Sequence, residues 1–259
     1  MESYREELEF ALTLAEEAGK IIRGHFRTGL KVETKGDNTP VTLADRGAEE
    51  AIRKRIHSHT PDYGIIGEEF GSEAGKAQRE WVIDPIDGTK AFIHGVPLFG
   101  TLIALLEKGR AVVGVISLPA LDHVLSASLG GGAWVDGRPA QVSAVDHLED
   151  SLLLDGSVST MERLGHGPAW AELRRRAKLH RGWGDCYGHF LVATGEAEAM
   201  ADPIVEIWDI APMQIILPEA GGRFSAWSGQ DSLVEKCGLS SNGRIHDVVL
   251  NGLSADRSR

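Results

Sequence analysis

The chain has 259 residues, 42% hydrophobic and 25% charged, too rich in apolar side chains for a disordered tail and long enough for one large domain or two modest ones. With 27 Lys+Arg against 38 Asp+Glu the formal charge is −11, a field that repels phosphate backbones and anionic lipid surfaces, so neither nucleic acid nor membrane is an expected partner. Two cysteines, Cys186 and Cys237, cannot build a disulfide framework, and neither a signal peptide nor a membrane-length apolar run is visible; a cytoplasmic location is the expectation.

Over 4–26, Leu8, Leu12, Ala15, Ala18, Ile22 and Phe26 recur at three- and four-residue steps, predicting an amphipathic helix. Residues 28–40 lose that period and collect Gly29, Gly36, Asp37 and Asn38, which predicts a mobile loop. Thr42 is the expected cap of a second helix reaching about His59, with Asp45 in its first turn. Short strands at 64–67 and 81–84 lead into an antiparallel meander over 100–106, 111–117, 123–128 and 132–135. Beyond about residue 150 the texture alternates: a strand at 152–154, a helix at 168–176, a strand near Leu179, and helices at 186–194, 208–219 and 244–253. The predicted organisation is an α+β half over 1–150 and a smaller α/β half over 151–259, with the ligand cleft between them.

The most informative run is Trp81-Val82-Ile83-Asp84-Pro85-Ile86-Asp87-Gly88-Thr89-Lys90. An apolar strand delivers two carboxylates at its C-terminal end, hard oxygen ligands that suit magnesium, and the Gly88 and Thr89 amides at a helix start would form an anion site for a phosphate. Taken alone, the run reads equally well as an ordinary turn. Ile65-Ile66-Gly67-Glu68-Glu69 places adjacent acids at another strand end, and Ile207-Trp208-Asp209-Ile210-Ala211 places an aspartate at a helix start. Each alone is an unremarkable solvated acid. Together with Asp84 and Asp87 they supply the four carboxylates of a two-metal phosphotransfer site.

In this order and at these separations, and with Pro40-Val41-Thr42-Leu43-Ala44-Asp45 and Val192-Ala193-Thr194-Gly195, the runs resemble the signatures of the inositol monophosphatase family of magnesium-dependent, lithium-sensitive phosphatases over nearly the whole chain. The resemblance implies a layered α-β-α-β-α sandwich, a homodimer, and hydrolysis of a small-molecule phosphate monoester with two to three Mg2+ per active site. By it, Glu68, Asp84 and the main-chain carbonyl of Ile86 would hold the first ion, Asp84, Asp87 and Asp209 the second, and a third, weaker ion would sit near Glu68. Thr89, hydrogen-bonded to Asp45, would orient and deprotonate the attacking water, while Asp87, Gly88 and Thr89 would contact the phosphate. Lys35 corresponds to the family's mobile loop, although an exposed loop lysine describes it equally well.

Within the family, residues 87–102 and Gly184-Asp185-Cys186-Tyr187-Gly188 resemble most closely the branch that acts on histidinol phosphate, which implies its cleavage to histidinol and phosphate in histidine biosynthesis. Asp185 and Asp202 suit an ammonium and an imidazole better than a neutral polyol, because a carboxylate pairs strongly with a cation in a partly dry pocket; Glu206 is a further candidate. Other readings stay open: Asp185 as the cap of the following helix, Asp202 as the end of a strand before Pro203, inositol 1-phosphate or another small ester as substrate, and an inactive binding member of the family. A haloacid-dehalogenase-type phosphatase needs a nucleophilic aspartate two residues before Asp87, where Pro85 stands. His94 and His189 lie near the site segments without a required role.

Overall fold

The N-terminal amphipathic segment forms helix α1 (Arg5–His25), which buries Ala11, Leu14, Ala15, Ala18 and Ile22 along one face. The computed structural model describes residues 4–29, 33–34 and 40–254. Where the sequence predicts only a loop, β1 (Glu33–Thr34) and β2 (Pro40–Val41) pair antiparallel; two residues per strand carry too short an alternation to register as a pattern. Lys35 lies outside the described residues. Helix α2 (Leu43–His59) starts at Thr42, whose hydroxyl accepts from the Ala44 amide.

Strands β3 (Gly64–Gly67), β4 (Gly71–Glu73) and β5 (Arg79–Asp87) are followed by the short helix α3 (Thr89–Ile93). The meander then runs through β6 (Gly100–Glu107), β7 (Arg110–Leu118), β8 (His123–Ser128), β9 (Gly132–Val135) and β10 (Arg138–Pro139). These strands form one eight-stranded sheet in the order β10-β9-β8-β7-β6-β5-β3-β4. Only β3 and β5 pair parallel within it.

The rest of the chain supplies β11 (Leu152–Asp155), α4 (Val158–Arg163), α5 (Gly167–Arg176), β12 (Leu179–Arg181), α6 (Asp185–Ala193), β13 (Ala199–Asp202), α7 (Ile207–Ile210), α8 (Met213–Glu219), β14 (Arg223–Ser225), β15 (Gly238–Ser241) and α9 (His246–Ser254). Its five strands form a mixed sheet in the order β12-β11-β13-β15-β14. The single helix predicted over 208–219 is split into α7 and α8 at Pro212. Proline has no N–H to donate back to the preceding turn, so the chain restarts there.

Side-chain alternation sets the layers. Along β5, Trp81 and Ile83 pack with Leu14, Ile22 and Ile52 of α1 and α2. Val82 faces the other way, into a core shared with Phe190 of α6 and Ile216 of α8. A third core joins Leu153 and Leu239 of the second sheet to Trp170, Leu173 and Val249 of α5 and α9. The result is an α-β-α-β-α stack, with α6, α7 and α8 between the two sheets. Among the described residues no helix is long and apolar enough to cross a membrane.

Candidate active site

Asp84 and Asp87 stand three residues apart, so in a regular strand their side chains would point to opposite faces of the sheet. The pairing of β5 with β6 slips between them: Asp84 is opposite Leu102, and Asp87 is opposite Gly100. Three steps on one strand meet two on the other, and this bulge turns both carboxylates toward the middle helical layer. Pro85, inside the bulge, has no amide to contribute to the ladder, and its carbonyl accepts from the Thr101 hydroxyl at 2.9 Å. Gly88 follows at φ 82°, a left-handed conformation that reverses the chain into α3.

Asp209 enters from α7, which packs against β5 and β6. One carboxylate oxygen each from Asp84, Asp87 and Asp209 lies within 4.8 Å of the others. Asp209 Oδ2 accepts from the Glu206 amide at 2.8 Å in a capping arrangement that sets the direction of the side chain. Glu68 follows β3; its amide donates to the Ile83 carbonyl at 3.2 Å, and its carboxyl shares a hydrogen bond with Asp84.

Four acids held this closely repel one another's charge. Burial, then the charges of Glu68, Asp87 and Asp209, pushes the Asp84 carboxyl well above its usual range. Asp87 is likewise raised by burial and by Asp185 and Asp209. Asp209 is pushed up to about 7 by burial, with Glu68 adding to it. Asp84 Oδ1 is buried and has no hydrogen-bond partner among the described residues. An orphaned carboxylate oxygen inside a cluster of like charges is a donor set that fits hard divalent cations such as magnesium.

Asp45 sits at the start of α2, fully buried. Here the structure departs from the expected Thr89–Asp45 hydrogen bond. Asp45 Oδ2 accepts instead from the Thr42 amide at 2.8 Å and the Thr42 hydroxyl at 2.7 Å, because unpaired donors at the helix start claim it. The Thr89 hydroxyl donates to the Ile86 carbonyl at 3.0 Å. Asp45 Oδ1 is left buried without a partner among the described residues, and burial, opposed by the Thr42 hydrogen bonds and aided by the charge of Glu68, raises its proton affinity.

Asp185 and Asp202 converge from α6 and β13. A Cβ placed on Gly156 would lie 3.1 Å from Asp202 Oδ1 and 3.9 Å from Asp185 Oδ1, so both oxygens border one notch beside residue 156, which a side chain there would crowd. Burial and the neighbouring Asp202 charge push Asp185 up to about 6, against the opposing pull of Lys90 and His189. Asp202 Oδ2 accepts from His189 Nε2 at 3.0 Å, and His189 Nδ1 in turn meets Ser240 Oγ at 2.7 Å. The sequence carries no signal for that role of His189, since its two partners come from two other elements, β13 and β15. Glu206 is engaged by Lys236 at the surface. Cys186 supplies an unforeseen contact: its amide donates to Asp87 Oδ2.

Sequence and structure comparisons agree on what this arrangement resembles. The profile described as the inositol monophosphatase family matches residues 3–256. A histidinol-phosphatase of Chlorobaculum parvum is 45% identical over 237 residues, covering 91% of each chain. A histidinol-phosphatase of Mycobacterium tuberculosis is 40% identical over 256 residues, covering 96% of this chain and 98% of that one. Among solved structures, the Thermotoga maritima IMPase superposes with a TM-score of 0.88 at 32% identity, covering 96% of this chain and 97% of its own.

Proposed function

The chain belongs to the inositol monophosphatase family, and from that premise we propose that it is a phosphoric monoester hydrolase whose substrate is histidinol phosphate, cleaved by water to histidinol and inorganic phosphate. The observation that carries the reading is the nearness of two acidic groups, the Asp84, Asp87 and Asp209 cluster and the Asp185 and Asp202 oxygens beside Gly156, joined by the Cys186 amide on Asp87. The first suits a metal-assisted phosphoryl transfer, and the second suits a cationic leaving group.

Glu68, Asp84 and the Ile86 carbonyl would hold one magnesium ion, Asp84, Asp87 and Asp209 a second, and a third, weaker ion would sit near Glu68. Bound there, the ions would neutralise the crowded carboxylates, lower the pKa of the attacking water and stabilise the departing alkoxide. The protein's own groups do the rest. The Gly88 and Thr89 amides, beside Asp87, receive phosphate oxygens. The Thr89 hydroxyl orients the water for in-line attack on phosphorus, and Asp45, through Oδ1, takes the proton. Asp185 and Asp202 pair with the ammonium and imidazole of histidinol, with Glu206 at the rim. The working form is a cytoplasmic homodimer acting on a small-molecule ester.

Phosphate release from histidinol phosphate, inositol 1-phosphate, fructose 1,6-bisphosphate and adenosine 3′,5′-bisphosphate at equal magnesium tests the proposal. The expected result is the highest kcat/KM on histidinol phosphate. Preference for inositol 1-phosphate would remove the assigned substrate and leave the phosphatase; turnover in chelator, with metal content shown to be nil, would remove the metal reading.

A further inference from the structure

Glu49 stands one helical turn beyond Asp45 on α2, on the same side of the helix. Its side chain is completely buried and points at the turn that carries Glu68. Oε2 accepts from the Glu69 amide at 2.7 Å, and Oε1 accepts from the Phe70 amide at 3.2 Å and from Arg53 Nε at 2.7 Å. Arg53 carries the grip further along the same turn, donating to Glu73 Oε1 at 2.6 Å and to the Gly71 carbonyl. A Cβ on Gly67 would fall 2.1 Å from Glu49 Oε1 and 2.7 Å from Arg53 Nη2. The carboxylate therefore fills the space a side chain at residue 67 would need.

Glu68 is held from both sides as a consequence. Its own amide is tied to Ile83 of β5, and the residues before and after it are packed on, or hydrogen-bonded to, Glu49. A buried carboxylate next to an acidic cluster adds repulsion unless a cation neutralises it, and Arg53, itself buried, does so at hydrogen-bonding distance.

We infer that Glu49, backed by Arg53, is a positioning residue that fixes the Glu68 carboxylate toward Asp84 for metal binding. The inference rests on the reading of Glu68 as a metal ligand. Through α2 the same helix sets Asp45 and the Glu68 turn at one spacing, so the proton acceptor and the ligand are placed together.

The test is calorimetric titration of chelator-treated protein with magnesium, for wild type and Glu49→Gln, alongside near-ultraviolet circular dichroism and the magnesium dependence of phosphate release. Removing a group that orients a metal ligand costs about 10–100-fold in metal affinity. Glu49→Gln is expected to bind magnesium at least about tenfold more weakly, to shift its half-saturation by the same factor, and to recover most of kcat in excess magnesium. A folded Glu49→Gln with unchanged magnesium affinity overturns the inference, since a purely structural ion pair would alter only the melting temperature. Should Glu49→Gln fail to fold, Arg53→Lys keeps the charge but cannot span Glu49, Gly71 and Glu73. It is expected to weaken magnesium binding several-fold, and unchanged affinity in folded Arg53→Lys equally overturns the inference. Wild-type protein that binds no magnesium would overturn the metal reading itself.

Discussion

The amide of Cys186 donates to the carboxylate of Asp87, 99 residues earlier in the chain. This hydrogen bond joins the first turn of α6 to the end of β5, and so ties the Gly156 notch to the acidic cluster. Asp185, immediately before that amide, has a φ of 53°, a left-handed conformation that aims its carboxylate at the notch and the next N–H at Asp87. Aspartate and asparagine tolerate that region better than most residues.

Charge and backbone can be separated at this position. Asp185→Asn keeps the tolerated conformation and removes only the charge. KM for histidinol phosphate should rise by the worth of a hydrogen bond to a charged group, about 1.5–3 kcal/mol or roughly 10–150-fold, while hydrolysis of a neutral aryl phosphate changes little. Asp185→Ala adds a backbone penalty of about 1–2 kcal/mol and should slow both substrates, because the Cys186 amide is displaced from Asp87. Equal losses on both substrates for Asp185→Asn would show that the carboxylate supports the metals or the fold instead of the leaving group.

Asp87→Asn and Asp209→Asn should each abolish turnover while stabilising the metal-free protein. The cluster holds its acids against mutual repulsion, as the raised proton affinities of Asp84, Asp87 and Asp209 record. Neutralising one member without changing its volume relieves that repulsion. A gain of about 1 kcal/mol corresponds to roughly 2–4 °C at this chain length, readable as a higher melting temperature in chelator. In saturating magnesium the order should reverse, with wild type the more stable, since ligand binding adds stability only to the form that binds it. Near-wild-type turnover by either variant would defeat the metal assignment.

Much of the layered fold is legible in local pattern. The runs at 64–67, 123–128 and 132–135 coincide with β3, β8 and β9 because turn residues bracket them and short-range alternation suffices. The acids Glu68, Asp84, Asp87 and Asp209 stand out because each closes an apolar strand or opens a helix. What the pattern conceals is long-range. The bulge that brings Asp84 and Asp87 to one face is fixed from β6, where Thr101 grips Pro85 from 16 residues away. The partners of Glu49 and His189 depend on which elements the fold brings together, and no spacing rule encodes that. Thr42 was legible as a cap, yet the capture of Asp45 by that cap requires the geometry of the first helical turn.

His246 should give the protein an acid-sensitive term remote from the cluster. The ring is fully buried, with Nε2 against Ser225 Oγ at 2.9 Å and Nδ1 against Ser241 Oγ at 2.7 Å. Ser225 Oγ already donates to the Ala226 carbonyl, so it accepts from Nε2, which leaves Nδ1 to accept from the Ser241 hydroxyl when the ring is neutral. Burial lowers its pKa to about 4, aided by Arg223 and opposed by Asp247. The unfolded chain, with an ordinary value of 6.5, binds more protons between these limits. The stabilisation is therefore complete above 6.5 and is lost as pH falls toward 4, by at most about 3 kcal/mol. Urea unfolding at pH 7.5, 5.5 and 4.5 should show a shallower pH slope for His246→Gln than for wild type; equal slopes would assign the acid sensitivity to other groups.

Thr89 offers the sharpest test of how the water is activated. Its hydroxyl donates to the Ile86 carbonyl, one of the proposed metal-binding oxygens, and makes no hydrogen bond to Asp45 among the described residues. If the hydroxyl orients the water while Asp45 Oδ1 takes the proton, Thr89→Ala should bind magnesium within a few-fold of wild type yet lose about 100-fold or more in kcat, the usual worth of a positioned proton-transfer path. Thr89→Ser keeps the oxygen and should retain most of the rate. Asp45→Asn should resemble Thr89→Ala, and the double variant should be little slower than either single one, because residues acting on one proton lose their effect together. Full additivity of the two losses would mean that Thr89 and Asp45 act on separate steps, and an unchanged rate in Thr89→Ala would place water activation on another group.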